Sequence, residues 1–182
     1  MAHINTGKNG HDHTVSAFII LLGSDEPRLG LHMHRKVGKL LQFGGHVEVD
    51  ENIWEAIEHE LVEETGYALS QLKVLQPTQR LRSLPSATVH PVPVVQNTHN
   101  YESGNTDHRH IDNVYAFIAT ELPSGVPEEG ETPDILWVTR DELAAFTASE
   151  TSLNAQAIGE WIFAEILNVW EPVELSEFGA EK

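Results

Sequence analysis

The chain contains no cysteine and few basic residues. Of its 182 residues, 11 are lysine or arginine and 28 are aspartate or glutamate, which gives a formal net charge of −17 with histidine neutral. Without cysteine there are no disulfides, no thiolate metal ligands and no cysteine nucleophile, which fits a reducing compartment, and we expect the cytoplasm. The negative charge disfavours a nucleic acid polymer as a partner, because repulsion opposes its phosphates.

Long hydrophobic runs are also absent. No window approaches the roughly 20 apolar residues that a membrane-spanning helix needs, and residues 1–13 lack the features of a signal peptide. Hydrophobic residues still make up 40% of the chain, enough for one buried core. We therefore predict a soluble protein with a flexible lead at 1–13, a single domain at 14–170 and a loose tail at 171–182.

Strand and helix patterns alternate along the predicted domain. Residues 14–22 predict a buried strand, and residues 29–43 predict a hairpin partner and a short strand that leads into two glycines. The next segment has helical periodicity, with Asp50 as the expected N-cap and Gly66 as the stop. Further strands are expected within 72–84, 88–97, 111–120 and 135–138, with a helix capped by Asp141 and another over 153–170. This mixed order predicts an α/β fold, an α/β/α sandwich on a mixed β-sheet.

The predicted helix carries an acidic edge. At about 100° per residue, Glu64 falls inside the apolar arc of Ile53 and Ile57, and Glu60 and Glu63 lie close to it. No lysine or arginine lies on this helix. Buried carboxylates need compensation, which a magnesium or manganese ion with water and backbone carbonyl ligands would supply. A solvated acidic face explains the spacing equally well, so both interpretations stay open at this point.

The same segment resembles the signature of the Nudix hydrolases. In that family a glycine is followed at fixed spacing by a glutamate and then by Arg-Glu-apolar-x-Glu-Glu-x-Gly-apolar. Here Gly45 is followed after five residues by Glu51 and, seven residues later, by HELVEETGY at 59–67. Only His59 departs from the pattern, at the arginine position. Histidine still donates a hydrogen bond to a carboxylate, so we expect the motif to tolerate the exchange and to become sensitive to pH.

The resemblance implies a Nudix fold and a site for a divalent metal. It implies that the carboxylates of Glu60, Glu63 and Glu64 and the carbonyl of Gly44 bind Mg²⁺ or Mn²⁺. It also implies that Glu51 stabilises the motif or the surroundings of the metal. We expect Glu60 to act as the catalytic base, with Glu51 as the second catalytic residue, although the base differs among family members. The expected substrate contacts are Arg35, Gly45, His46, His108 and His110.

Polar residues outside the motif supply further candidates. His108, His110 and Asp112 alternate along an extended segment and so share one side, where they could contact phosphate or a further metal ion. An ordinary polar strand end is the alternative. Glu102 and Asp107 could add an acidic ligand or remain solvated loop charges. We hypothesise that the cleft beside His108 and His110 also contains His32, His34, His46 and His90.

The functional prediction is a divalent-metal-dependent pyrophosphohydrolase that cleaves a nucleoside diphosphate linked to another moiety X, by attack of water on a phosphoanhydride. The alternative is a non-catalytic Nudix module that binds a nucleotide or sugar phosphate, which the retained glutamates disfavour. Isopentenyl diphosphate isomerisation is discarded, because its better-known form uses an essential cysteine. The sequence leaves open the identity of X and the oligomeric state, for which a homodimer is one option.

Overall fold

A computed structural model of the protein describes residues 10–23, 26–100 and 109–178. The strands in these ranges are β1 (His11–Leu21), β2 (Arg28–His34), β3 (Lys39–Leu41), β4 (Leu72–Gln76), β5 (Val95–Asn100), β6 (Arg109–Ala119), β7 (Ile135–Val138) and β8 (Glu171–Glu174). The α-helices are α1 (Ile53–Thr65), α2 (Arg140–Ala145), α3 (Leu153–Trp161) and α4 (Leu167–Val169), and a π-helical turn over Ile162–Ile166 joins the last two. None of these helices is long and apolar enough to cross a membrane.

The strands form one mixed sheet around β1 and β6. The strand order is β3-β2-β1-β6-β4-β8, with β5 also paired to β6 and β7 to β2. β1 and β6 run parallel, from His11 opposite Arg109 to Leu21 opposite Ala119, whereas the other pairings are antiparallel. Both central strands are mostly buried and rich in β-branched and aromatic residues.

Alternation along the central strands divides the core into two layers. Val15 and Ala17 of β1 pack in the layer that contains α1 and its buried Trp54. Phe18 and Ile20 pack in the other layer, with α3 and the π-helical turn. Helices therefore cover both faces of the sheet, which confirms the predicted α/β/α sandwich.

Helix caps differ from the sequence prediction. Asn52, not Asp50, caps α1, because its side chain accepts bonds from two backbone N–H groups of the first turn. Thr139, not Asp141, caps α2, because its hydroxyl oxygen accepts from the N–H of Glu142. α1 ends at Gly66 as predicted, in the left-handed conformation with φ 71°.

Regular secondary structure extends beyond the predicted limits of the domain. β1 begins at His11, because its pairing with β6 continues to that residue. The predicted loose tail is wrong for 171–178, since β8 pairs with β4 and Val173, Leu175 and Phe178 lie in the layer beside α1. Residues 179–182 are outside the described part of the chain.

The segment 77–94 lacks the long strands that the sequence predicts. It is mostly loop, with one isolated bridge, and regular pairing resumes only at Val95. Four prolines in this segment cannot donate to a strand ladder, which accounts for the difference.

Candidate active site

α1 places three glutamates beside the loop that follows β3. Its apolar face is buried through Trp54 and Leu61, which fixes the rotation of the helix. Glu60 and Glu64 are thereby carried inward and are 3% and 7% exposed, as residues four apart on one helix face should be. Glu63 lies beside them and is half-buried.

Gly44 anchors one of these carboxylates. Its backbone N–H donates to Glu64 Oε2 at 2.7 Å. Gly44 has φ 134°, which favours glycine, and a Cβ there would lie 2.0 Å from the carbonyl oxygen of Val15. Glycine is therefore required for the loop to pass against β1 and reach Glu64. The Gly44 carbonyl as a metal ligand stays a prediction.

Both inward carboxylates are unfavourably placed when ionised. Burial, with the charges of Glu64 and Glu63, raises the pKa of Glu60 to about 8. Burial also raises the pKa of Glu64 to about 8, against the effect of the bond from Gly44. Glu60 Oε2 is buried and accepts no hydrogen bond from any residue that the structure describes. A buried carboxylate oxygen without a partner is costly, and a bound cation would satisfy it.

The ligand set suits a cation that keeps part of its hydration shell. In the part of the chain that the structure describes, no three acidic or histidine side chains converge to hold a metal ion. Glu63, the third predicted ligand, instead lies 2.7 Å from His59. Mg²⁺ is commonly bound by one or two carboxylates, with water and substrate phosphates completing the shell. Glu60 and Glu64 fit that arrangement.

His59, which replaces the arginine of the motif, bridges two acidic residues. Its Nε2 lies 2.7 Å from Glu63 Oε1 and its Nδ1 lies 3.5 Å from Glu51 Oε2. Glu51 also accepts from the N–H of Glu48 at 2.9 Å. Burial of His59 opposes its protonation, but the bond to Glu63 and the charges of Glu63 and Glu51 outweigh burial and raise its pKa. This geometry gives Glu51 a bracing position, while its predicted catalytic role stays a prediction.

Glu131 is a candidate that the sequence interpretation missed. It lies in the connector 122–134, and its charge adds to burial in raising the pKa of Glu60 and of Glu64. The N–H of Glu128 in the same connector donates to the carbonyl of Glu63 at 2.8 Å, which docks the connector on α1. No periodic pattern links the connector to the helix, so its acidic composition was the one available signal.

Arg35 holds the same connector. Its guanidinium donates to the carbonyl oxygen of Gly130 and, at 2.7 Å, to that of Glu131. These bonds give Arg35 a bracing position. Its guanidinium has five N–H donors, so its contact with substrate stays a prediction.

Gly45 and His46 are tied to β1. The Gly45 carbonyl accepts from the N–H of Val15 at 2.9 Å, and His46 forms an isolated bridge with Thr14. The His46 ring lies 4.8 Å from the ring of His110, measured between centroids. These three predicted substrate contacts are thus brought to one end of the β1 and β6 pair.

The other predicted histidines do not join them. His32 packs beside His34 on β2, with ring centroids 6.1 Å apart, and His90 lines a separate small pocket with Asp12 and Glu51. The hypothesis of one shared histidine cleft is therefore wrong for the described residues. His108, Glu102 and Asp107 fall outside the described ranges.

A cavity of about 790 Å³ lies over the face of the sheet that carries α3. Gln42, which lines it, is two residues before Gly44, so their Cα atoms are within roughly 7 Å of each other. The cavity thus lies on the opposite face of the sheet from α1, and the chain from Gln42 to Gly44 links it to the loop that contacts Glu64. Its polar lining includes Ser16, Lys36, Lys39, Gln42, Asn97, His99, His110 and Asp112.

Sequence comparison agrees with the motif and the fold. A family model described as NUDIX domain matches residues 12–157. The chain belongs to the Nudix hydrolase family. No curated protein matches it significantly.

Solved Nudix structures share the fold at low sequence identity. A NUDIX-family hydrolase from Clostridium perfringens has a TM-score of 0.63 at 24% identity, over 82% of this chain and 93% of its own. A NUDIX hydrolase from Nitrosomonas europaea has a TM-score of 0.57 at 19% identity, over 90% and 94%. The NUDIX domain of Shewanella oneidensis NrtR, solved with ADP ribose, has a TM-score of 0.56 at 12% identity, over 83% and 86%. At these identities the likeness establishes the Nudix fold alone.

Proposed function

We propose that this Nudix protein is a divalent-metal-dependent pyrophosphohydrolase that cleaves a nucleoside diphosphate linked to another moiety X. The observation that carries the proposal is the buried pair Glu60 and Glu64, one anchored by a backbone N–H and one with an unpartnered oxygen. Such a pair destabilises the fold unless a cation neutralises it. Two carboxylates on one helix face also suit a cation that is shared with the phosphates of an anionic substrate.

The glutamates of α1 have separate roles in this proposal. Glu64, fixed by Gly44, would hold the metal together with Glu60, and Glu63 would join them on leaving His59. Bound Mg²⁺ or Mn²⁺ would neutralise phosphate oxygens and stabilise the charge that develops in the displacement. Glu60 would accept a proton from the attacking water, and the bond from phosphorus to the bridging oxygen breaks, giving two phosphorylated products.

Residues around the pair take supporting roles in this proposal. Glu131 adds a carboxylate from outside the motif, and Arg35 keeps it in place. Arg35, Gly45, His46 and His110 remain our proposed substrate contacts. The last three lie together at the end of the β1 and β6 pair, and His110 also lines the cavity.

A binding module without hydrolysis is the second candidate function. The observation that favours it is the contact between Glu63 and His59, which engages one oxygen of a predicted metal ligand. This candidate predicts nucleotide affinity that does not depend on metal.

The test is the formation of nucleotide products by metal-stripped protein from nucleoside triphosphates, ADP-ribose, dinucleoside polyphosphates and nucleotide sugars, separated by chromatography. We expect turnover of at least one class when Mg²⁺ or Mn²⁺ is added, and loss of that turnover with EDTA. Tight nucleotide binding without turnover of any compound, with either metal, would support the binding module instead.

A further inference from the structure

A buried carboxylate organises the polar side chains of the cavity. Asp112 is 5% exposed and accepts a bond from the Thr14 hydroxyl at 3.0 Å. The Ser16 hydroxyl lies 3.1 Å and 3.0 Å from its two oxygens, and the Asn97 side chain also donates to it. An ionised carboxylate only accepts hydrogen bonds. Thr14, Ser16 and Asn97 must therefore each donate a hydrogen bond to Asp112.

The first branch of this network orients Gln42. Because the single hydroxyl hydrogen of Ser16 is directed to Asp112, Ser16 Oγ can only accept from Gln42 Nε2, at 3.1 Å. This settles which end of the Gln42 amide faces Ser16, an assignment that amide shape alone leaves ambiguous. The carbonyl oxygen of Gln42 then points away from Ser16. Since Gln42 lines the cavity, that oxygen is available as an acceptor for a ligand.

The second branch orients His99. Asn97 uses its Nδ2 for Asp112, so its Oδ1 is the atom that meets His99 Nδ1, at 3.0 Å. His99 must donate in that bond and carries its hydrogen on Nδ1. The Nε2 of a neutral ring is then an acceptor. His99 lines the same cavity. The two branches therefore end in hydrogen-bond acceptors, Gln42 Oε1 and His99 Nε2.

We propose that Asp112 sets the hydrogen-bond polarity of this cavity and thereby selects a nucleobase that carries an exocyclic amino group. The inference rests on the proposed function, because it takes a nucleotide as the ligand class. Gln42 Oε1 accepts from the amino group, His99 Nε2 is a second acceptor in the same cavity, and partly exposed apolar side chains such as Leu41 and Ile158 cover the ring. A carbonyl in place of the amino group sets acceptor against acceptor and is rejected.

The experiment is calorimetric titration of AMP and of IMP into metal-free protein in EDTA at pH 8. AMP carries an amino group at C6 and an N1 without hydrogen, whereas IMP carries a carbonyl at C6 and an N1–H. We expect AMP to bind roughly tenfold more tightly than IMP or better, and Asp112→Asn to reduce that ratio to about twofold or less, because the asparagine amide supplies a donor where the network needs an acceptor. Equal affinities in the wild type, binding of neither nucleotide, or an unchanged ratio in folded Asp112→Asn would overturn the inference.

Gln42→Met is the second variant, because Asp112 is buried and its replacement could impair folding. It removes one acceptor from a half-buried position and should weaken AMP about tenfold while leaving IMP within about twofold. Asp141→Asn, at the exposed start of α2, is the matched control and should keep the wild-type ratio. Preservation of the AMP preference in Gln42→Met would also overturn the inference.

This experiment is separate from the test of hydrolysis. Turnover without a preference for AMP would overturn the base selection and leave the hydrolase standing. A preference for AMP without turnover of any compound would overturn the hydrolase and leave the base selection standing.

Discussion

The backbone N–H of Gly44 donates to Glu64 Oε2 at 2.7 Å and so joins the loop after β3 to the acidic face of α1. This bond fixes one inward carboxylate while the neighbouring Glu60 keeps an oxygen without a partner. One anchored and one unpartnered carboxylate, both buried, form the physical basis of the metal site proposed for this Nudix protein.

Replacement of Gly44 should be much more damaging than replacement of a glycine that also has positive φ but has free space around it. A Cβ at Gly44 would meet the Val15 carbonyl, whereas a Cβ at Gly38, which has φ 69°, meets nothing within 4 Å. We expect Gly44→Ala to lower the free energy of unfolding by at least about 3 kcal/mol, and Gly38→Ala by about 1 kcal/mol. Urea unfolding of the two variants measures this, and equal costs would contradict the packing described.

Loss of the His59 brace should lower activity without unfolding the protein. His59→Leu removes the contacts to Glu63 and Glu51, and groups that orient metal ligands typically contribute roughly 10–100-fold. We expect a fall in kcat of that size, and near wild-type kcat in His59→Arg, which restores the residue usual in the motif. Full activity in His59→Leu would show that the bridge has no catalytic importance.

Removal of the negative charge of Glu131 should weaken the activation of the enzyme by Mg²⁺. Glu131→Gln removes the charge that faces Glu60 and Glu64, so we expect about tenfold weaker activation by Mg²⁺. Glu129→Gln, an exposed neighbour in the same connector, is the control and should behave as the wild type. The measurement is the rate as a function of Mg²⁺ concentration. Identical curves for the two variants would remove Glu131 from the site.

His32 should make the fold sensitive to acid. Burial, together with the charge of His34, lowers the pKa of His32 from 6.5 to about 4. Because the folded-state pKa lies below the unfolded value, the contribution of His32 to stability is full above about pH 6.5 and is lost as pH falls towards 4.

His32→Gln should therefore lose less stability than the wild type between pH 7 and pH 4.5. We expect the difference between the two to be about 2 kcal/mol, from roughly 1.4 kcal/mol for each pKa unit. Urea unfolding at both values of pH measures it, and exposed His13→Gln serves as the control. A wild-type pH dependence in His32→Gln would refute the assignment.

Local sequence patterns correctly predicted α1 and the inward position of its carboxylates. The 3.6-residue period placed Glu60 and Glu64 inward, and Gly66 ended α1, because both features depend on residues close in sequence. Glu131 was missed, since its approach to α1 depends on bonds from Arg35 across about a hundred residues of chain. The pairing of β8 with β4 also depends on residues far apart in sequence, so the sequence did not predict it. The short apolar alternation of β8 resembles that of an ordinary tail.

The role of Asp112 shows the same limit. Alternation correctly grouped it with His110 on one side of an extended segment. Its partners Thr14 and Ser16 lie on β1, however, and only the parallel pairing of β1 with β6 brings them into contact.

The most direct test of the central claim is the initial rate of phosphoanhydride hydrolysis by Glu64→Gln with saturating Mg²⁺. Glu58→Gln, which removes a carboxylate from the same helix outside the site, is the matched control. The account predicts that kcat falls at least about 100-fold in Glu64→Gln and stays within about twofold of the wild type in Glu58→Gln. A wild-type rate in Glu64→Gln would contradict the assignment of this carboxylate to the catalytic metal site.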